Sequence, residues 1–268
     1  MLSIANRIGI SSLINRGVSV FKIAHSFLLD GTNEQFEIDN ANLSSVLQGS
    51  VEKSITFNFY PITGQGDYLL WSNGNTDRGI HIFWFASYIS IAYYRASDGA
   101  ARYARFSASA FTLDDWNFAT FTINTVNGVG LLKVNGSEIP STVENISASD
   151  NVISNTDDFI IGGGGTAGFS NLNDYFNYIS IDDILTLSQH QELYNLGEPL
   201  NPTTVDGITN CMFINADDSN DTAQFTITDS VNSINSVSVN LETADKTTFT
   251  PYVIAIGQMV IGTSFLIG

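Results

Sequence analysis

The feature that most constrains this chain is a long series of short β-patterned runs broken by Gly, Asn and Asp clusters. SITFNFYPI places Ile55, Phe57 and Phe59 on one face and Thr56, Asn58 and Tyr60 on the other, the alternation of a strand with one face on a core. DYLLWS, GIHIFWFAS, YISIAYYRA, ARYARFSA, NFATFTIN, GLLKVNG and FIIGG follow at the spacing of an antiparallel sandwich or barrel. Val134-Asn135-Gly136 predicts a hairpin turn, because Asn and Gly tolerate the positive φ it requires. One segment departs from the pattern. FNYISIDDILTLSQHQELYNLGEP, residues 176–199, starts as a strand and predicts the chain's one short helix: Ser188 and Gln191 form a capping box, Gly197 ends the helix, and Pro199 stops it restarting.

A chain of 268 residues can bury a full core. Only 14% of it is charged, against about 25% in ordinary domains, yet the net charge is −17. The surface therefore rests on Asn, Ser, Thr and Gly. Such a balance argues against a nucleic-acid backbone or an anionic membrane as main partner, since both need clustered Lys or Arg; sugars, proteins and cations remain. The single cysteine, Cys211, has no internal disulfide partner and reads as a small core residue.

Three parts are expected: an arm (1–24), a sandwich (25–198) and a C-terminal extension (199–268), the last either a continuation or a small second β module. The first 29 residues hold three basic side chains and no acidic one. They suit either docking on an acidic neighbouring subunit or an edge strand over 18–24. Arg7, Arg16 and Lys22 interrupt every apolar run that a secretory signal would need, so Met1 is expected to start the mature chain. Residues 252–268 carry no charge, but a membrane span wants about 20 apolar residues. A buried strand or a subunit-contact tail is expected there, with no membrane insertion.

The ordered motifs resemble concanavalin A-like, laminin-G-like jelly-roll domains over about residues 26–198. SFLLDGTNEQFEI resembles the opening strand pair around Asp30-Gly31-Thr32, with Phe36 in the aromatic place; DDWNFATFTIN resembles the central strand through Trp116, Ala119 and Thr120, with Asn117 and Phe118 replacing the usual histidine pair. GLLKVNGSEI resembles the family hairpin, FIIGG a family strand, and the 176–199 segment the closing motif. The resemblance implies an all-β antiparallel jelly-roll β-sandwich whose short helix covers one open end and buries Leu193 and Tyr194. It also implies a Ca²⁺ site at one rim shared by Asp30 and Asp182, a structural ion taken by oxygen ligands. The segment after residue 207 resembles one that follows such domains in structural proteins of tailed bacteriophages, through Asp229, Val231, Asn232, Ser233, Asn235, Asn240, Glu242, Ala244 and Asp245.

Catalysis finds little support. Hydrolases of the same fold use E-x-D-x-x-E, and the nearest match, EIDNAN from Glu37, ends in Asn42, an amide with no proton to donate as the acid must. His25, His81 and His190 lie apart and read as surface or strand residues, and no His or Cys pair has zinc spacing. GGGG at 162–165 lacks the GK[ST] of a phosphate loop and reads as a flexible loop. Asp157-Asp158 and the acidic run at 217–221 are alternative places for Ca²⁺, without the spacing and glycine of an EF-hand loop, and each has a solvated acidic turn as its competing reading. Trp71, Trp84, Tyr93, Tyr94 and Tyr103 offer rings for sugar stacking, with the core as their competing destination.

The sequence thus predicts a non-enzymatic virion component of a tailed phage, a head decoration, fibre or tail protein assembled in the host cytoplasm. Its expected partners are other virion proteins and copies of itself, with no cofactor other than structural Ca²⁺. The alternative is a carbohydrate-binding adhesion module for a cell-surface glycan, with Trp71 and Trp84 as the sugar-stacking residues.

Overall fold

The computed structural model describes residues 23–32, 34–62, 67–72, 78–154, 157–162, 173–220, 222, 224–229 and 231–248. The arm up to residue 22, the tail from 249 and most of the four-glycine run lie outside the described residues. The alternating runs form β1 (Ser26–Asp30), β2 (Gln35–Ile38), β3 (Glu52–Pro61), β4 (Asp67–Ser72), β5 (Ile80–Phe85), β6 (Tyr88–Tyr94), β7 (Ala101–Ser107), β8 (Asn117–Asn124) and β9 (Val129–Val134). They continue as β10 (Ser137–Ile139), β11 (Ser141–Glu144), β12 (Phe159–Ile161), β13 (Asn173–Asp183), β14 (Asn210–Asn215), β15 (Thr226–Thr228), β16 (Asn235–Val239) and β17 (Lys246–Thr247). Among the described residues two α-helices accompany them, α1 (Asn40–Leu47) and α2 (Leu187–Tyr194).

The strands make two antiparallel sheets. The first runs β10-β9-β8-β3-β13-β1-β17, with β14 also paired to β13; the second runs β11-β7-β6-β5-β4-β12-β2-β16-β15. Ile55, Phe57, Phe59, Phe121 and Ile179 of the first sheet, and Ile82, Trp84, Ile91 and Phe106 of the second, are buried in the core between them. Phe59 meets Trp84 edge-on across the gap, with centroids 6.4 Å apart. Each such ring taken out of water contributes about 1.5–3 kcal/mol. At Gly130 the sheets approach so closely that an added Cβ would lie 2.5 Å from the Ala104 Cβ. The chain is an antiparallel jelly-roll β-sandwich.

Several local expectations shift. β1 and β2 do not pair: β1 joins β13 in the first sheet and β2 joins β12 in the second, so the Asp30 turn carries the chain between layers. The Asp30 carboxylate accepts from the Thr32 N–H at 2.9 Å and holds that turn. The 176–199 helix is not alone, because Asp39 caps α1 by accepting from Ala41 N–H at 2.8 Å, and α1 buries Leu43 and Leu47. The α2 capping box is Thr186 with Gln189, two residues earlier than Ser188 with Gln191. Asn195 and Leu196 already take positive φ at 43° and 57°, before Gly197. The Asn135–Gly136 turn has positive φ at both residues, 47° and 82°, as its two-residue hairpin requires.

Helix α2 lies on the outer face of the first sheet, where the resemblance had placed it over a rim. Leu193 is buried there as expected, and Tyr194 is half-buried. The outer face of β3 and β8 is polar yet sealed: Ser54, Thr56, Thr120 and Thr122 are all buried. These groups are hydrogen-bonded, as buried polar groups must be. Ser54 and Thr122 hydroxyls lie 2.8 Å apart, Thr56 and Thr120 2.9 Å. Leu185 N–H donates to Ser54 Oγ and the buried Lys133 ammonium donates to the Leu185 carbonyl, both at 3.0 Å. His190, expected near the surface, is fully buried at the centre of this layer. Gly136 N–H donates to its Nε2 at 3.1 Å, so the ring hydrogen sits on Nδ1 and is donated to Thr120 Oγ1 at 2.9 Å.

Residues 210–248 supply β14 to β17 and add strands to both sheets. Their Phe225 is buried against Phe27, with centroids 5.0 Å apart, and Phe27 in turn meets Phe36 at 4.9 Å. Asp229 is buried and accepts backbone N–H groups from Phe213 (2.6 Å), Val231 (3.1 Å) and Asn232 (2.6 Å). Ser233 and Asn240 take positive φ in the turns beside β16. Much of the motif between 229 and 245 thus has a structural task.

Candidate sugar-binding face

The outer face of the second sheet gathers the exposed aromatic groups. In β5 the alternation that sends Ile82 and Trp84 into the core sends Phe83 and Phe85 outward. Ala86 and Ser87 turn the chain tightly, so Phe85 pairs with Tyr88 and Phe83 with Ser90. In β7 the run ARYARFS turns Ala104 and Phe106 inward and Tyr103 and Arg105 outward. Register brings the three strands into one patch: Tyr88 lies opposite Ser107, Ser90 opposite Arg105, and Ala92 opposite Tyr103.

Phe85 is 44% exposed and stacks on Tyr88 with centroids 5.4 Å apart and planes 21° from parallel. Phe83 meets Tyr88 edge-on at 6.3 Å. The Arg105 guanidinium carbon lies 4.4 Å from the Tyr88 ring centre and 4.2 Å from that of Tyr103. Cation–π attraction to two rings fixes this side chain. Val143 of β11, paired with Arg105, is 45% exposed at the patch border. An exposed flat aromatic surface beside a fixed hydrogen-bond donor fits a sugar, whose ring has an apolar C–H face and a polar rim.

Trp84, Tyr93 and Tyr94, singled out from sequence, fall outside this patch. Trp84 is 5% exposed and packs between Phe59 and Phe111. The period-two pattern that aligns it with Ile80 and Ile82 points it into the core, so it cannot stack on a sugar. Trp71 pairs with Ile160 through its backbone in β4, and its side chain lies outside the described residues. Tyr93 is buried, its hydroxyl donating to Asp150 at 3.2 Å, and burial with that carboxylate nearby pushes the phenol well above its usual range. Tyr94 faces outward against His81 at 5.8 Å. Of the four ring candidates whose side chains are described, Tyr103 alone belongs to the patch. Phe85, Tyr88 and Arg105 escaped notice, although i, i+2 alternation along ARYARFS and across the Phe85–Tyr88 hairpin carried the signal.

Asp30 and Asp182 are not brought together. Asp30 pairs with Asn173 at the start of β13, and Asp182 lies near that strand's far end, about 30 Å away at roughly 3.3 Å per residue. Asp182 is fully buried and its oxygens are engaged, accepting from Ser180 and Asn210, each at 2.7 Å. Burial raises its carboxyl to about 6. Among the described residues no group of three or more His, Cys, Asp or Glu is placed to hold a metal. The hydrolase-like EIDNAN is also split: β2 ends at Ile38, Asp39 caps α1, and Asn42 rides on that helix. Among the described residues no helix is long and apolar enough to cross a membrane.

No protein-family model matches the chain, and no curated protein sequence matches it. Solved structures do. A Bacteroides ovatus protein provisionally named as carbohydrate-binding superposes over 81% of this chain with a TM-score of 0.56 and 13% identity; the chain spans 58% of that protein's length. The heptameric SAP-like pentraxin of Limulus polyphemus gives 0.48 at 12% identity over 72% of this chain and 94% of its own. The carbohydrate-binding module CBM40 of the Ruminococcus gnavus IT-sialidase, bound to α2,3 sialyllactose, gives 0.44 at 16% identity, over 64% of this chain and 98% of its own. At such identities the likeness establishes the fold alone, and the first of the three carries it.

Proposed function

We propose that this protein is a non-catalytic glycan-binding module that holds sugar rings on the outer face of its second sheet. The observation that carries the reading is the exposed Phe85, stacked on Tyr88 beside an arginine fixed between Tyr88 and Tyr103. Rigid amphipathic rings lose little entropy on binding, and a preformed donor orients the ligand. The shared fold with the provisionally carbohydrate-binding Bacteroides ovatus protein agrees with this reading. A glycan array probed with the full chain should give saturable binding that Phe85→Ala weakens by about tenfold or more. Retention of no glycan, or equal binding by the variant, refutes the proposal. The module holds and does not cleave: polysaccharide turnover that disappears in Glu37→Gln would contradict this.

A second reading, compatible with the first, places the protein on the virion of a tailed phage, in contact with copies of itself and assembled in the host cytoplasm. Its support is the phage-like motif whose Asp229, Ser233 and Asn240 build the turns of the C-terminal strands. Purified particles should contain the protein in fixed stoichiometry; its recovery only as free chains sinks this reading.

A further inference from the structure

Arg105 differs from three of the chain's described cations in lacking an anion, and from Lys133, also without an ion pair, in lacking a bond like that side chain's to the Leu185 carbonyl. Arg95 pairs with Asp98 and Asp150, Arg102 with Asp150 at 3.3 Å, and Lys53 with Asp183. With 27 acidic residues to 10 basic ones, an arginine is easily given a carboxylate. Arg105 has no ion pair among the described residues, and its Nε, cut off from solvent, meets no acceptor. Tyr88 and Tyr103 lie against the guanidinium and Nε is closed to solvent, which leaves the edge formed by the two Nη groups as the place for hydrogen bonds to a ligand. That edge matches a planar two-oxygen acceptor.

We infer that the glycan taken by this face is acidic: a sugar carboxylate seats on the edge of Arg105 while the sugar ring packs on Phe85 and Tyr88. The inference rests on the sugar-binding reading above and names its ligand class. Arg105 is then the specificity-determining residue. The surrounding chain, at −17, repels anions in general, so the acid must be admitted through this one preformed contact and not through a diffuse basic field. A neutral sugar could still stack on the rings but would leave Arg105 unmatched.

Calorimetric titration of the full chain with sialyllactose and oligogalacturonate, each against its carboxyl-reduced counterpart, tests this, with lactose and sulfated lactose as further probes. A carboxylate-bearing sugar should bind about 10- to 100-fold more tightly than its reduced form. Arg105→Gln should erase that preference, so that the acidic and reduced forms bind alike, and Phe85→Ala should weaken both while the preference survives. Equal affinity for acidic and reduced sugars, or a preference that survives Arg105→Gln, overturns the inference and leaves the sugar-binding face standing. Sulfated lactose binding as tightly as the carboxylates overturns the choice of carboxylate. Binding of no sugar overturns both readings. If the Arg105 variant does not fold, the paired acidic and reduced ligands on the unaltered protein decide alone.

Discussion

Replacing His190 by alanine should destabilise the protein strongly at neutral pH and much less in acid. At pH 7.5 the substitution strips an acceptor from the part-buried Gly136 N–H and a donor from the buried Thr120 Oγ1. Leaving Gly136 N–H without a partner costs about 1–3 kcal/mol, and taking one of two bonds from Thr120 Oγ1, which keeps Thr56, costs about 0.5–1.5 kcal/mol more, so a loss of about 1.5–4.5 kcal/mol is expected before the lost packing on Phe118 is added. The acid limb follows from the ring's protonation. Burial, with Lys133 close by, holds His190 down to about 4, whereas in the unfolded chain it titrates near 6.5. A depressed value means that the unfolded chain takes up the proton first, so the stability His190 confers is complete above about 6.5 and drains away as pH falls towards 4. By pH 4 the unaltered protein has lost about 3 kcal/mol through this one ring. The alanine variant has no such loss, and the stability gap between the two should narrow by about 3 kcal/mol from pH 7.5 to pH 4. Urea unfolding followed by fluorescence at both pH values measures the gap by linear extrapolation. An equal gap at the two pH values, or a cost below about 0.5 kcal/mol at pH 7.5, would show that His190 is not the neutral, doubly bonded centre of this layer.

Asp182→Asn should act with the opposite sign. A carboxyl raised from 3.8 to about 6 by burial favours folding below about 4 and loses that advantage as pH rises through 6. The difference between variant and unaltered protein should move by about 2.4 kcal/mol in the variant's favour from pH 4 to 7.5, measured by the same unfolding series. Asp182 and His190 oppose each other over this range while Glu34, raised to about 7 by burial, acts in the same sense as Asp182, so the effect is read from the difference between the two profiles, and a variant profile parallel to the parent's counts against the Asp182 assignment. Phe225→Ala should cost about 3–5 kcal/mol, since its ring fills the core beside Phe27; a loss under about 0.5 kcal/mol would mean that the C-terminal strands ride on the sandwich without joining its core. Gly130→Ala drives a methyl group to 2.5 Å from Ala104 Cβ and 2.7 Å from Ile146 Cδ1, and should lower stability by about 1–3 kcal/mol in thermal unfolding.

The sandwich was legible because its signal is repeated. Ile55, Phe57 and Phe59, or Ile80, Ile82 and Trp84, alternate strictly, and one misplaced residue in such a run would turn every partner to water. What alternation does not encode is pairing between runs. The Asp30 turn reads equally as a hairpin or as a crossing between layers, and the crossing is decided by β13 and β12, far along the chain. Helix α1 was invisible because NANLSSVL has weak helical propensity; the Asp39 cap and the burial of Leu43 and Leu47 supply what the sequence lacks. Both Thr186–Gln189 and Ser188–Gln191 satisfy the capping pattern, and the fold uses the earlier register, with His190 and Leu193 facing the sheet.

The candidate site was only partly legible for a related reason. Tryptophans stand out, yet parity sends Trp84 inward, and the less conspicuous Phe85, Tyr88 and Arg105 meet only once β5, β6 and β7 are in register. Asp30 and Asp182 each carry a familiar motif, but the same β13 that links them holds them at its two ends.

The most direct test is a crystal structure of the full chain grown with an acidic oligosaccharide such as oligogalacturonate. The account predicts one sugar ring over Phe85 and Tyr88, with its carboxylate within hydrogen-bonding distance of the Arg105 guanidinium. Density for the sugar at a sheet edge or a loop cluster, with the Phe85 face bare, would contradict it.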